Sequence, residues 1–302
     1  MNALVDEIIQ LKEEKNAVIL AHYYVPDEVQ EIADYIGDSY YLSKVATTVE
    51  RDVIVFCGVS FMGESAKLLN PEKTVLMPDA DADCAMAHMA DPKKIEQVKK
   101  EHPDAAVVCY INSTTELKTY SDVCVTSSNA EKIVRALPNE TIYFIPDEHL
   151  GRYVAAKVPE KKFIFNAGYC PIHNDITRDA VLAAKEAHPN AAVLVHPECP
   201  KEIVELADYA GSTSGIIAYA TESEKKEFII GTEDGVFYEL KKKNPDKTFY
   251  PVHAGQCCPG MKLVTLEKVR DALKYGIHEV HISEKMREKA CRPLDRMLEL
   301  AR

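Results

Sequence analysis

The chain has no apolar run near the roughly 18 residues that a membrane span needs, and no low-complexity stretch that reads as a linker. It has no basic excess: 36 Lys and Arg stand against 48 Asp and Glu, a formal net charge of −12. Nucleic-acid binders present a basic stripe, so that class is excluded along with integral membrane proteins. No C-x₂–₄-C pair occurs, which removes the usual spacing of a structural zinc site, and no C-x₃-C-x₂-C, which argues against a radical-adenosylmethionine enzyme. The opening segment, MNALVDEIIQLKEEKN, is acidic and interrupted by charge, unlike a signal peptide. A cytoplasmic protein is expected, with neither nucleic acid nor membrane as partner. Any anionic ligand then has to be held by local donors, because the overall field repels it.

What is present is ordinary in bulk. Hydrophobic residues make up 46 % and charged residues 28 % of 302 positions, the balance of a soluble globular chain. Length alone suggests two domains. Nine cysteines, an odd number in a chain without an export signal, do not read as a disulfide framework.

The chain repeats itself three times. KNAVILAHYY (15–24), EHPDAAVVCYIN (101–112) and AHPNAAVLVHPE (187–198) align at offsets of 88 and 86 residues. ADYIGDS (33–39), SDVCVTS (121–127) and ADYAGST (207–213) align at the same offsets. A third trio is VIVFCG, IYFIP and EFIIG, and a fourth is KTVLMP, KKFIFN and KTFYPV. Agreement at four separate places marks repeated units. Helical spacing of apolar residues runs through ALVDEIIQLKEE, DEVQEIADYI, TRDAVLAAKEAH and TLEKVRDALKYG, and the short apolar segments read as parallel strands covered on both faces. The expected fold is α/β: three pseudo-symmetric three-layer αβα domains, each with a roughly four-stranded parallel sheet, around a central site. The expected boundaries are 1–83 with 265–302, 84–169 and 170–264, the C-terminal helix packing back on the first unit.

Ligands in open α/β sheets bind beyond the carboxyl ends of strands. The first strand of each unit ends in His22, Tyr110 or His196, followed two residues on by Tyr24, Asn112 or Glu198. A second strand end brings Ser39, Ser127 and Thr213. Pseudo-threefold packing brings these groups to one axis. Any one of them alone reads as a surface residue, and Ser39 and Thr213 as helix N-caps; three equivalent hydrogen-bonding positions weigh against that. Cys84, Cys170 and Cys258 are spaced by 86 and 88 residues, one per unit. Three thiolates without an obvious fourth suggest a [4Fe–4S] cluster with one iron open, unlike four-cysteine electron carriers; zinc is the competing reading. Cys257 adjoins Cys258, but Cys170-Pro171 and Cys258-Pro259 share a Cys-Pro step, which favours Cys258. Cys57, Cys109 and Cys124 lie in apolar strands as core, and Cys199 and Cys291 have no equivalents.

The segments ILAHYY, GDS, GVSFMGESAKLLNP, CAMAHM, YINSTTELK, TSSNA, CPIH, VHPECP, ADYAGSTSG and CPGMK resemble quinolinate synthase nearly end to end. The resemblance implies an enzyme with a central three-cysteine [4Fe–4S] cluster. It implies condensation of iminoaspartate with dihydroxyacetone phosphate to quinolinate, phosphate and water, a step toward NAD. Cys84, Cys170 and Cys258 match its cluster ligands. His22, Ser39, Tyr110, Asn112, Ser127, His196, Glu198 and Thr213 match substrate contacts, with Ser212 beside them. Tyr24 matches a proton-transfer tyrosine, and Tyr24, His196, Glu198, His22 and Tyr110 are the catalytic candidates. An enzyme supplying iminoaspartate is the implied functional partner. Tyr23, where the family often has Asn, and the extra Cys257 depart from the pattern. A three-cysteine iron–sulfur reductase of a phosphorylated substrate and a non-catalytic iron–sulfur sensor are the alternatives.

Overall fold

Three four-stranded sheets, all parallel, carry the chain. A computed structural model describes residues 3–302. The first sheet holds β1 (Ala17–His22), β2 (Tyr35–Gly37), β3 (Val53–Cys57) and β4 (Thr74–Leu76). The second holds β5 (Ala106–Tyr110), β6 (Val123–Val125), β7 (Thr141–Ile145) and β8 (Lys162–Phe165). The third holds β9 (Ala192–Val195), β10 (Tyr209–Ala210), β11 (Glu227–Gly231) and β12 (Thr248–Pro251). Each sheet has its second strand at one edge, then the first, third and fourth. Helices connect the strands, as parallel pairing requires.

The sequence offsets are reproduced in strand register. Ile19 pairs with Val55, Val107 with Tyr143, and Val193 with Ile229. Leu20 pairs with Tyr35, Val108 with Val123, and Leu194 with Tyr209. β1, β5 and β9 are buried along their whole length, which is why their sequences are continuously apolar. The apolar core runs unbroken through the first two units, while the two faces of the third sheet form separate clusters.

One expected helix is shorter than its pattern. The apolar spacing of DEVQEIADYI predicts a single helix, but the helix spans Asp27–Glu31 and Tyr35–Gly37 is β2. Asp34 is the cause: its amide donates to Ile19 O at 3.0 Å and its carboxylate accepts from Ile19 N at 2.8 Å. Asp122 grips Val107, and Asp208 grips Val193, in the same two ways. These three aspartates stand at the repeat offsets and draw each second strand onto the first. The other three helices, Ala3–Glu14, Arg178–Ala187 and Leu266–Tyr275, lie on their predicted segments.

The helix Leu266–Tyr275 packs on Ala3–Glu14 and β3 of the first unit. The last helix, Glu284–Leu300, lies against Ser60–Leu69 of the first unit and also against β6 and the helices Thr115–Lys118 and Ala130–Ala136 of the second. It therefore bridges two units. Among the described residues no helix is long and apolar enough to cross a membrane.

Candidate active site

The strand ends of all three units open into one cavity. Its walls include His22, Tyr24 and Ser39 from the first unit; Tyr110, Asn112 and Ser127 from the second; and His196, Glu198 and Thr213 from the third. Cys84, Cys170 and Cys258 line it as well.

Local capping decides which hydroxyls are free to face it. The side chain of Asp38 accepts from Tyr41 N at 2.9 Å and caps the helix Ser39–Ala46. Ser212 caps Thr213–Glu222 by accepting from Gly215 N at 3.2 Å. Their counterpart Thr126 has its amide bound by Asn129 Oδ1 at 2.7 Å and its hydroxyl paired with Ser128. An N-cap oxygen satisfies amides that the first helical turn leaves unpaired. Because the preceding residue does that work in the first and third units, Ser39 and Thr213 remain at the cavity wall; Ser127 lines it beside Thr126, which caps no helix. Ser212, expected as a substrate contact, caps its helix and is not among the lining residues.

The two histidines repeat a local motif. Tyr24 N donates to His22 Nδ1 at 3.2 Å, and Glu198 N donates to His196 Nδ1 at 3.3 Å. In each case the amide two residues on occupies Nδ1, leaving the proton of the neutral ring on Nε2. Burial, with His196 adding its own repulsion, pulls His22 down to about 3. Burial also lowers His196 to about 3, against the pull of Glu198. Both rings are neutral Nε2–H donors near pH 7. His196 Nε2 lies 3.1 Å from Ser127 Oγ, so this pair joins the second and third units.

A continuous polar relay crosses the cavity floor. Tyr24 Oη lies 2.7 Å from Thr213 Oγ1 and 2.8 Å from Thr232 Oγ1. Thr232 Oγ1 is 2.8 Å from His173 Nε2, and His173 Nδ1 is 2.7 Å from Glu198 Oε2. Burial opposes charge on Glu198, yet His196, His173 and the Tyr110 hydroxyl together bring its carboxyl to about 2. Burial first, and the Glu198 charge second, raise Tyr24 and Tyr110 well above an ordinary phenol. The site thus has an ionised carboxylate in Glu198, two protonated tyrosines and, in His22 and His196, two neutral imidazoles. That division fixes which groups hold a proton and which can accept one before a substrate enters.

Asn112 Oδ1 is buried in this wall with no partner among the described residues. An orphaned buried acceptor costs about 1–3 kcal/mol, which a ligand donor would recover. Among the described lining residues there is no Lys or Arg. The nearby Lys262 ammonium is taken by Glu233 at 2.9 Å, Asp234 at 2.7 Å and Tyr24 O at 2.8 Å. Anions must therefore be bound by hydroxyls, amides and imidazole N–H groups, as the acidic composition implies.

The three cysteines share one backbone setting. Each has extended φ/ψ and directly precedes a short helical segment: Ala85–His88, Pro171–Asn174 or Pro259–Lys262. Amides of that segment face the sulfur: Met86 and Ala87 for Cys84, His173 for Cys170, Gly260 and Met261 for Cys258. These donors favour the thiolate, while burial pushes Cys84 up to about 12 and raises Cys170 and Cys258. Three thiols with sulfur-directed amides in one cavity are a donor set suited to a metal or cluster, whose charge would offset the burial cost. Cys257 is not in the cavity wall; it groups with Glu233 and Asp234. Cys57, Cys109, Cys124 and Cys199 are buried outside it, and Cys291 is half-buried.

Sequence reasoning did not single out His173, Thr232 or Glu233. His173 lies within the CPIH segment, but no counterpart occupies its position in the other units. Glu233 did carry a signal. It follows the third strand of its unit and stands 86 residues after Asp147, another buried acid.

Residues 6–299 match the family model of the quinolinate synthetase A protein. The quinolinate synthase of Caldicellulosiruptor saccharolyticus is 55 % identical over 98 % of this chain and 97 % of its own length. That of Clostridioides difficile is 53 % identical over the same shares, and that of Thermodesulfovibrio yellowstonii 49 % identical over 99 % of each chain. With a family match spanning nearly every residue and relatives at about half identity end to end, this chain belongs to the quinolinate synthetase A family.

Proposed function

We propose that the chain condenses iminoaspartate with dihydroxyacetone phosphate to give quinolinate, phosphate and water, with a [4Fe–4S] cluster held by Cys84, Cys170 and Cys258. The observation that carries this is the meeting of those three thiols, one from each repeat, in a cavity walled by the polar strand ends of all three units. Relatives of similar length are named quinolinate synthase, which supports quinolinate as the product. When bound, such a cluster would supply an open iron of Lewis-acid character.

The residues supply the rest. Ser39 and Thr213 begin helices of eight and ten residues whose N-terminal ends meet the cavity, so the dipole and the hydroxyl both favour phosphate or carboxylate oxygens. His22 and His196 offer Nε2–H donors, and Asn112 Oδ1 awaits a donor from the substrate. Tyr24, His196 and Glu198 are the acid–base groups, and Glu198 is joined to Tyr24 through His173 and Thr232. The proton that Glu198 accepts can return through this relay to the Tyr24 hydroxyl.

A second reading rests on Cys170, His173 and Glu198, whose donor atoms all lie within 4.8 Å of one another. That set fits a single metal ion. Anaerobic iron and sulfide quantification separates the two readings. The cluster reading expects iron and sulfide in wild type and Cys257→Ala and neither in Cys258→Ala, with quinolinate made from the two substrates without an electron donor. Zinc without sulfide, or activity that needs a reductant and an allylic diphosphate, refutes it.

A further inference from the structure

Cys257 and Cys258 are neighbours in the chain, yet only Cys258 reaches the cavity wall. Side chains of adjacent residues in extended backbone leave on opposite sides, so whatever fixes this segment decides which sulfur enters. The segment is fixed on both sides of Cys257. Before it, the buried Gln256 donates from Nε2 to Ile230 O at 2.9 Å and Thr232 O at 2.5 Å, and accepts at Oε1 from His253 N at 3.1 Å. After it, Cys258 N donates to Glu233 Oε1 at 2.9 Å.

Glu233 is 1 % exposed and has both carboxylate oxygens engaged. Oε2 accepts from Gly235 N at 2.7 Å, and Oε1 also receives Lys262 Nζ at 2.9 Å. Lys262 ends the short helix that Cys258 precedes. One carboxylate therefore ties both ends of the turn carrying the thiol. A buried acid also stands 86 residues earlier. Asp147 is fully buried after β7, accepts from Leu150 N at 2.6 Å, and has the amides of Cys170 and His149 facing its carboxylate. The first unit has Val59 at this position, and there the amide of Cys84 faces the carboxylate of its chain neighbour Asp83.

We propose that Glu233 is a positioning residue that presents Cys258, and not Cys257, as the third cluster ligand. This rests on the three-cysteine reading above. Its function is to anchor the Cys258 amide and Lys262 together against the end of β11. Asp147 stands at the equivalent place beside the Cys170 turn, capping the helix that follows it through Leu150 N.

The test uses the full chain loaded anaerobically with iron and sulfide, as wild type, Glu233→Ala and Glu233→Gln. Iron release to a chelator and iodoacetamide labelling of each cysteine, resolved by mass spectrometry, are measured together. Wild type is expected to protect Cys84, Cys170 and Cys258 and to label at Cys257. Glu233→Ala should release iron about tenfold faster or more and label at Cys258 while Cys84 and Cys170 stay protected. Glu233→Gln should fall between, since its side-chain oxygen still accepts the Cys258 N–H. An unchanged release rate in Glu233→Ala, or protection lost evenly at all three cysteines in Glu233→Gln, overturns the inference alone. A wild-type chain that takes up no iron and labels at all three overturns the cluster reading and this inference with it.

Discussion

Replacing His22 with Asn should make the metal-free protein less sensitive to acid. Asn offers a side-chain oxygen near the position of Nδ1, so the Tyr24 amide keeps its acceptor, but the titrating ring is gone. In the unfolded chain this imidazole takes a proton near 6.5; in the folded chain burial, then His196, hold it to about 3. Between those values the unfolded chain binds more protons, so stability present at pH 7 is lost as the pH falls. From pH 7 to pH 5 the loss is about 2 kcal/mol, a figure that holds for any folded value below about 4. At roughly 2.1 cal/mol/K of unfolding entropy per residue, 302 residues convert this to about 3 °C. Glu233, which burial pushes up to about 7, titrates in the same window with the opposite sign. It is present in both proteins and cancels in their difference. Thermal unfolding followed by circular dichroism at the two pH values should show the Tm gap between wild type and variant shifting about 3 °C in the variant's favour at pH 5. Parallel pH dependences would refute the claim that His22 is buried as a neutral ring.

Tyr24→Phe removes the hydroxyl shared by Thr213 and Thr232 and should slow quinolinate formation by about 100-fold or more, at a stability cost of about 1 kcal/mol; an unchanged steady-state rate would take Tyr24 out of the proton path. Asn112→Ala deletes an unpaired buried acceptor. It should leave Tm equal or higher while KM rises, and a fall in Tm with unchanged kinetics would mean Asn112 is structural. Asp38→Ala loses both the cap on Tyr41 N and the bond from Ser214 in the third unit. It should cost about 1–2 kcal/mol in denaturant unfolding, and a value near zero would show that the cap is dispensable.

The three sheets were legible because the repeats keep their offsets where strands pair, so four short alignments imply one register used three times. The cavity wall was legible for the same reason: a strand end is a fixed place in a fold, and His22, Tyr110 and His196 occupy it in turn. Legibility stopped where single units act alone. His173 has no repeat counterpart, and its importance lies in reaching Glu198, Thr232 and Cys170 Sγ at once, contacts that spacing does not encode. The helix expected over DEVQEIADYI was misread because Val29, Ile32 and Ile36 keep helical spacing while Asp34 binds the backbone of β1. The capping role of Ser212 is not legible either, because a serine beside a site and a serine capping a helix look alike until the amide it accepts is known.

The differing residues at equivalent strand ends have a consequence for how such a site can arise. Three separate copies of one unit around an axis would present the same side chain three times, a trigonal ring unable to tell one end of a substrate from the other. Joining the copies in one polypeptide frees each to drift independently: His, Tyr and His at one level, Tyr, Asn and Glu at the next. The backbone repeats, held by Asp34, Asp122 and Asp208, while the side chains at the strand ends differ. A cavity walled in this way can hold an asymmetric ligand in one orientation, which a symmetric trimer of the same size could not do.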